Sequence, residues 1–234
     1  MKMELPKVLV FSITYEGKDY ILDEFLESAS KIDYPKDKYR HVIIDNSKGL
    51  GYYNKLKGMG LDVYHVQRGN NTRETLARSQ NFARKLLLKG DYDYALSLES
   101  DLLIKPDTLL KLLGDGKDVV GVLYMIGDAG HRLPCITINS THDNGLVGSR
   151  LLEPDEFDAF RNNGLVPVHN GGLGCTLIKR KVLEDIGFYY YPDLKNHSDG
   201  FFANDCWKKG YRVYVDTGLF LEHHNVPWST VKDR

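Results

Sequence analysis

The sequence predicts an α/β fold with a mostly parallel sheet flanked by helices, and two observations lead to this prediction. Short apolar runs rich in β-branched residues, typical of buried strands, alternate with longer segments whose apolar side chains recur at helical spacing. This alternation is typical of βαβ units, in which consecutive strands pair in parallel. In addition, no stretch rich in Gly, Pro or Ser divides the 234 residues, so we expect one domain over residues 1–234.

The first part of the chain carries predicted strands separated by predicted helices. The strands are expected at residues 7–15, 39–49, 61–67 and 92–101. The helices are expected at residues 19–32, 52–60 and 72–90. Thr72 is the expected N-cap of the third helix, and Gly90 is its expected C-cap.

After about residue 118 the regular alternation of strands and helices ends. Strands are expected at residues 118–125 and 133–138, followed by long polar stretches up to residue 170. Long polar loops in a compact domain are usually functional or disordered, and we expect the loops at residues 127–150 and 155–170 to select the acceptor. A glycine turn, a strand and a short helix are then expected over residues 171–188, and a helix and a strand over residues 199–216.

Composition narrows the classes of function. The net charge of −1 gives no overall positive field that would attract nucleic acid or an anionic membrane. The three cysteines are widely spaced and form no CxxC pair, which favours a reducing, cytoplasmic compartment. No apolar run is long enough for a membrane-spanning helix. We therefore expect a soluble protein without an integral membrane segment, with peripheral membrane association left open.

Polar residues follow three of the predicted strands. They are Thr14, Tyr15 and Glu16 after the first strand, Asp45, Asn46 and Ser47 after the second, and Glu99, Ser100 and Asp101 after the fourth. In open α/β sheets, ligands bind at the carboxyl ends of the strands. The sequence therefore predicts a pocket for a polar ligand at this edge of the sheet.

Two of these residues, Glu99 and Asp101, indicate a metal ion. Because they are two residues apart on a predicted strand, both carboxylates are expected on the same face, where they repel each other. A divalent cation between them would neutralise the pair, and Mg²⁺ and Mn²⁺ prefer carboxylate oxygens. The alternative is a solvated turn in which Asp101 caps a helix.

The order of these motifs resembles the nucleotide-sugar half of the family 2-like glycosyltransferases with a GT-A fold. The matching order is strand–TYE, strand–DNS, a helix containing ARSQNFAR, and strand–ESD, where ESD resembles a variant of the family's DxD motif. Two later segments, GGLGCTLIKRKVLEDIGF and SDGFFANDCWKKGYRVYVDTGLFLEHHN, are similar to the family's second half. One departure is Ser198, which stands where the family usually has the Glu of an acidic pair.

The resemblance implies roles for individual residues. Residues 1–105 would bind the nucleotide-sugar donor, and residues 106–234 would bind the acceptor and carry out catalysis. The donor-binding residues would be Thr14, Tyr15, Glu16, Asp45, Asn46, Arg78, Ser100 and Gly172. The ligands of a divalent metal, Mn²⁺ or Mg²⁺, would be Glu99, Asp101 and His223. Asp199 would act as the general base in an inverting transfer from a UDP-sugar, or a GDP-sugar, to an acceptor hydroxyl.

Several of these residues also fit simpler roles. Asp45 fits an Asx turn, and Asp199 fits the N-cap of the helix that follows it. Asp205 is a rival candidate for the base, and His224 is a rival candidate for the metal ligand. The aromatic run Tyr189–Tyr191 fits either an acceptor site or a packed core.

Two other classes of function remain open at this point. A nucleotidyltransferase on a related scaffold usually carries a glycine-rich phosphate loop after its first strand, and SITYEGKDY lacks one. The second class is a binding protein that retains the fold but catalyses no reaction. The acceptor is equally open, with a glycan, a lipid-linked sugar, a protein and a modified nucleic acid all compatible with the sequence.

Overall fold

The computed structural model describes residues 4–128, 131–141 and 147–224. The strands are β1 (Val8–Thr14), β2 (Tyr39–Asp45), β3 (Val63–His65), β4 (Tyr94–Leu98), β5 (Val119–Leu123), β6 (Met125–Asp128), β7 (His131–Pro134), β8 (Thr137–Thr141), β9 (Val147–Leu151), β10 (Leu165–Val168), β11 (Cys175–Lys179) and β12 (Val213–Phe220). The α-helices are α1 (Leu22–Ser30), α2 (Leu50–Gly58), α3 (Thr72–Lys89), α4 (Thr108–Gly114), α5 (Pro154–Phe160), α6 (Arg180–Asp185) and α7 (Ser198–Lys208). A 3₁₀-helix, Glu16–Ile21, precedes α1.

Eight of the strands form one mixed sheet in the order β10-β12-β5-β11-β4-β1-β2-β3. The strands β1 to β4 pair in parallel, as do β5 and β12. Strand β11 is antiparallel to both of its neighbours, β4 and β5, and β10 is antiparallel to β12. The predicted α/β fold with a mostly parallel sheet is confirmed, and the antiparallel strands lie in the second half of the chain.

Helices cover both faces of this sheet, so its central strands are apolar on both sides. On one face, Phe25 of α1 and Leu109 of α4 are fully buried against the sheet. On the other face, Leu87 of α3 and Phe202 of α7 fill the same role. The strands of both halves of the chain therefore share one framework, which holds the ends of β1, β2 and β4 side by side.

The sequence expectations differ in detail from the structure at several places. The helix expected at residues 19–32 begins as the 3₁₀-helix and becomes α-helical only at Leu22. The N-cap of α3 is Asn71 rather than Thr72, because the Asn71 side chain accepts a hydrogen bond from the Glu74 backbone N–H (3.0 Å). The strand expected at residues 133–138 is divided after Pro134 between two hairpins. Strand β4 ends at Leu98, so Glu99 and Asp101 belong to the following turn.

Within the described ranges, every helix is too short or too polar to cross a membrane.

Candidate active site

The carboxyl ends of β1, β2 and β4 bring the three predicted polar triplets to one edge of the sheet. Thr14 and Asp45 are direct register partners at the ends of β1 and β2. On the other side of β1, Ser100 donates a hydrogen bond from Oγ to the Ile13 carbonyl oxygen (3.1 Å). The parallel register thus places the residues after all three strands next to each other, as the sequence predicts.

The segment that follows β12 returns to this edge and adds a histidine to the two carboxylates. Leu102 and His223 form an isolated antiparallel bridge, and the His224 backbone N–H donates to the Asp101 carbonyl oxygen (2.8 Å). His223 Nε2 consequently lies 3.2 Å from Asp101 Oδ2 and 3.7 Å from Glu99 Oε2. One ligand atom from each of these three residues lies within 4.8 Å of the others.

Two contacts fix the orientation of the His223 ring. Its Nδ1 lies 3.0 Å from the Met125 carbonyl oxygen, which can only accept, so Nδ1 carries the hydrogen. The Tyr124 ring packs edge-on against it, with the ring centroids 5.7 Å apart at an angle of 90°. Nε2 is therefore the nitrogen that faces the carboxylates, an arrangement typical of metal-binding histidines.

Asp101 is a buried carboxylate with one unsatisfied oxygen. The residue is 1% exposed, and its Oδ1 has no hydrogen-bond partner among the described residues. Its Oδ2 contacts both Lys18 Nζ and His223 Nε2. Burial alone would raise the pKa of Asp101, but the hydrogen bond with His223 and the charge of Lys18 outweigh it and lower the pKa to about 2.

Glu99 and Lys18 complete the charges of the cluster. Loss of hydration at this crowded edge and the charge of Asp101 both raise the pKa of Glu99, although 46% of its side chain is exposed. Burial would lower the pKa of Lys18, but the neighbouring Asp101 and Glu99 carboxylates raise it. Loss of hydration opposes protonation of His223 as well, and here the hydrogen bond and charge of Asp101 outweigh it and raise the pKa.

This donor set fits a divalent cation. Two carboxylates and one imidazole nitrogen are ligands that Mn²⁺ accepts, and Mg²⁺ accepts the carboxylates. The unsatisfied Oδ1 of Asp101 is a buried group of the kind that calls for a partner, because an unpaired buried carboxylate oxygen is costly. Glu99, Asp101 and His223 are therefore the residues that would hold the ion.

Asp45 lies at the same edge in a different setting. It is fully buried, and both of its oxygens are used. Its Oδ1 accepts from the backbone N–H (3.1 Å) and the hydroxyl (2.5 Å) of Ser47, which forms an Asx turn, and its Oδ2 lies 2.7 Å from His65 Nδ1. Ser47 in turn accepts a hydrogen bond from the Glu16 backbone N–H (3.0 Å). Asp45 thereby ties the loop after β2 to the loop after β1.

The other residues predicted to bind the donor from the first two triplets lie around this link. Thr14 and Asn46 are buried, and Asn46 donates from its side-chain amide to Ser79 Oγ (3.3 Å). Tyr15 is partly exposed, and the guanidinium of Arg68 lies over its ring, 5.5 Å from the centroid. Glu16 is exposed at the start of the 3₁₀-helix.

Two further predicted residues are placed apart from the triplets. Arg78 is 46% exposed on α3 and pairs with Glu74 one turn earlier (2.7 Å), so in this state its guanidinium is directed to that carboxylate. Gly172 has a positive φ of 68°, and a Cβ on it would lie 2.2 Å from Tyr124 Oη and 2.7 Å from Cys135 Sγ. Only glycine fits there, because both the backbone and the space exclude a side chain.

Asp199 lies in the first turn of α7 near the acidic cluster. Its charge contributes to the raised pKa of Glu99, after desolvation and the charge of Asp101. One oxygen accepts from the Gly200 backbone N–H (2.8 Å), and the other lies 3.4 Å from the Asn170 side-chain amide. The N-cap position itself belongs to His197. Ser198, by contrast, is buried and donates its hydroxyl hydrogen to Gln80 of α3, so position 198 faces the core rather than the cluster.

The alternative residues have other surroundings. Asp205 pairs with Lys208 on α7 (3.1 Å), and His224 Nε2 lies 3.4 Å from Glu222 Oε2. In the aromatic run before α7, Tyr189 and Tyr191 are nearly half exposed, and the Tyr191 ring packs edge-on against Phe201 with centroids 4.9 Å apart. The run therefore forms a partly exposed aromatic surface beside the helix that carries Asp199.

Three residues that shape the site were missed by the sequence interpretation. Lys18 lies on the 3₁₀-helix after β1. The sequence alone does not show that this helix meets the turn after β4, so the contact with the carboxylates could not be predicted. Tyr124 packs against His223 and accepts a hydrogen bond from the Gly174 backbone N–H (3.1 Å), although it reads simply as the end of an apolar strand. His65 ends β3 as one polar residue in a short strand, which is a weak signal.

Comparison with known proteins identifies the fold. No protein-family profile and no curated protein sequence matches the chain. Among solved structures, it is similar to S. aureus TarS 1–349 in complex with UDP-GlcNAc, with a TM-score of 0.59 and 20% identity over 96% of this chain. It is also similar to GalNAc-T7 with UDP, GalNAc and Mn²⁺, with a TM-score of 0.62 and 14% identity over 97% of this chain.

These similarities confirm the GT-A glycosyltransferase fold that the sequence motifs predicted. The chain spans 61% of TarS 1–349 and 45% of the GalNAc-T7 chain.

Proposed function

We propose that the chain is a metal-dependent glycosyltransferase that moves a sugar from a nucleoside-diphosphate sugar, a UDP-sugar, to an acceptor hydroxyl. The observation that carries the proposal is the cluster of Glu99, Asp101 and His223, with a buried carboxylate oxygen left unsatisfied at the ligand-binding edge of a GT-A sheet. The UDP-GlcNAc in the TarS structure, and the UDP and Mn²⁺ in the GalNAc-T7 structure, support the choice of donor and metal.

The cluster accounts for departure of the leaving group. When bound, a divalent cation would neutralise the negative charge that develops on the nucleoside diphosphate as the sugar leaves. Asp101 and Glu99 supply the negative charge that attracts the ion, and the hydrogen bond from His223 Nδ1 to Met125 keeps Nε2 directed at the cluster. Lys18, which contacts Asp101, supplies a further positive charge at the edge where the diphosphate would lie.

Asp199 is the proposed general base. A sugar hydroxyl is a weak nucleophile at neutral pH, and a carboxylate that removes its proton during attack raises the rate. The position of Asp199 near the acidic cluster, with Asn170 beside one of its oxygens, supports this role. Attack from the side opposite the leaving group gives single displacement with inversion, and the exposed Tyr189 and Tyr191 offer a surface on which an acceptor sugar can stack.

The nucleoside is proposed to bind at the ends of β1, β2 and β3. A groove there is lined by Lys48, Gln67, Arg68 and the start of α3, and Arg68 also covers the Tyr15 ring. Asp45 acts in this proposal as a positioning residue, because its hydrogen bonds to Ser47 set the shape of the loop that faces the groove.

A thermal-shift panel of nucleoside diphosphates, nucleoside triphosphates and sugar nucleotides, with and without Mn²⁺, tests the proposal. Ligand at 100 times its Kd stabilises the folded state by about 2.7 kcal/mol, which corresponds to a shift of several degrees. We expect stabilisation by UDP and one UDP-sugar that depends on Mn²⁺, followed by slow Mn²⁺-dependent release of UDP from that sugar nucleotide. Binding without release would favour a non-catalytic binding protein, and stabilisation only by nucleoside triphosphates would favour a nucleotidyltransferase.

A further inference from the structure

Lys18 occupies an unusual position for a lysine beside a metal site. It lies on the 3₁₀-helix directly after β1, and its Nζ contacts Asp101 Oδ2 across the edge of the sheet. Only 26% of the Lys18 side chain is exposed, whereas the carboxylate it contacts is almost completely buried. The contact is therefore a buried ion pair within the cluster rather than a solvated surface pair.

Lys18 contacts one of the two Asp101 oxygens that would hold a metal ion. Asp101 Oδ2 faces His223 Nε2 at 3.2 Å, so a cation held jointly by these two residues would lie close to Oδ2 as well as to the unsatisfied Oδ1 of the same carboxylate. Lys18 Nζ contacts Oδ2. A divalent ion and the lysine ammonium, both positively charged, are thus directed to one place, and Coulomb repulsion at a few Å disfavours their joint presence there.

Lys18 is the partner that can move. The backbone of Asp101 is fixed, because its carbonyl oxygen accepts from the His224 backbone N–H (2.8 Å). A lysine side chain, in contrast, is a flexible stem that carries a point charge with three donors, and a small rotation brings the charge to another anion. The anion that the proposed function brings to this edge is the diphosphate of the donor.

We propose that Lys18 is a resident counter-cation that competes with the divalent ion for Asp101 and moves to the donor diphosphate when the ion enters. This inference rests on the proposed function for the identity of the donor. Metal binding then depends on the donor. The protein without donor binds the ion weakly, and the donor strengthens metal binding because it gives Lys18 a new partner. Lys18 is accordingly a competitor of the metal ion before the donor binds and a ligand of the diphosphate afterwards.

The test is a Mn²⁺ titration followed by the electron paramagnetic resonance signal of free Mn²⁺, with and without saturating UDP. Three proteins are compared: wild type, Lys18→Met and Lys55→Met. Lys55 is a matched control, because it pairs with Asp19, next to Lys18 in sequence, at the exposed surface (2.5 Å). Lys18→Gln is the second uncharged variant, used in case Lys18→Met does not fold.

Without UDP, Lys18→Met should bind Mn²⁺ about tenfold more tightly than wild type, because the competing charge is gone. With UDP, the tightening of Mn²⁺ binding should be about tenfold smaller in Lys18→Met than in wild type. Lys55→Met should match wild type in both. Unchanged or weaker Mn²⁺ binding by Lys18→Met without UDP, including no binding by either protein, would overturn the inference.

The two proposals fail in different ways. Tighter Mn²⁺ binding by Lys18→Met supports competition at Asp101 even if no sugar nucleotide is hydrolysed, in which case only the glycosyltransferase assignment fails. Conversely, Mn²⁺-dependent release of UDP by wild type, together with unchanged Mn²⁺ binding by Lys18→Met, leaves the enzyme assignment in place and removes the role of Lys18.

Discussion

Two buried carboxylates at the same edge of the sheet have opposite surroundings. Asp45, after β2, is fully buried, and Ser47 and His65 together occupy both of its oxygens. Asp101, after β4, is 1% exposed, and one of its oxygens has no partner among the described residues. The other oxygen of Asp101 faces Lys18 and His223.

We interpret the difference as one between a carboxylate that stabilises the fold and a carboxylate that is reserved for a ligand. Because an unpaired buried polar atom is costly, proteins usually satisfy buried carboxylates with their own donors, as happens at Asp45. An exception at a ligand-binding edge indicates a group that the protein itself does not supply. We therefore expect substitutions at Asp45 to act on stability, and substitutions around Asp101 to act on ligand binding and turnover.

The largest expected effect concerns a third carboxylate, Asp199, which, like Asp101, is expected to act on turnover rather than on stability. Asp199→Asn keeps the shape of the side chain and removes its capacity to accept a proton, so transfer should fall by about 10²–10⁴-fold. Binding of UDP and Mn²⁺ should be unchanged. Steady-state rates with the sugar nucleotide identified by thermal shift, together with a UDP titration, measure both quantities.

Asp205→Asn is the matched control for this prediction. Asp205 lies on the same helix and pairs with Lys208, so its loss should leave the rate close to that of wild type. If Asp205→Asn were inactive and Asp199→Asn active, the base would be Asp205. If both variants were active, the proposed base catalysis would be wrong.

The second prediction tests the structural side of the comparison. Asp45→Ala leaves the Ser47 N–H and hydroxyl and the His65 Nδ1 without their acceptor, which should lower the free energy of unfolding by roughly 2–4 kcal/mol. Urea unfolding without ligand measures the change. A loss of UDP affinity with full stability would instead mean that Asp45 contacts the donor directly.

The smallest expected effect uses the metal to distinguish the two carboxylates. In the presence of UDP, Mn²⁺ at ten times its Kd should stabilise wild type by about 1.4 kcal/mol, from mass action alone. Asp101→Asn should lose this stabilisation, whereas Asp45→Asn should keep it. UDP without Mn²⁺ is the control in each protein, and equal Mn²⁺ stabilisation of all three would remove the distinction between the carboxylates.

The fold was predictable from the sequence where it depends on local pattern. The strands β1, β2 and β4 and the helix α3 carry clear periodicity, and their order fixed the parallel arrangement and the ligand-binding edge. The strand β11 was found, but its antiparallel insertion between β4 and β5 was not, because pairing direction depends on contacts distant in sequence. The hairpins β6–β7 and β8–β9 were not predicted either, because their strands are short and their pattern of apolar residues is weak.

The residues of the candidate site were predictable from the sequence, but several of the contacts between their side chains were not. Glu99, Asp101 and His223 were found as a set through the resemblance, and their side chains do come together. The contact of Lys18 with Asp101 spans the loops after two different strands, and nothing local in SITYEGKDY indicates it. The role of Ser198 was also hidden, because only the packing of α7 on α3 shows that this position faces Gln80.

The most direct test of the central claim, that His223 and the two carboxylates bind a divalent ion, is electron spin echo envelope modulation of bound Mn²⁺ in the presence of UDP. A directly coordinated imidazole gives a nitrogen modulation. We expect this modulation in wild type and in His224→Gln, whose imidazole lies beside Glu222, and its absence in His223→Gln. A wild-type spectrum without nitrogen modulation, or one that His223→Gln leaves unchanged, would contradict the account.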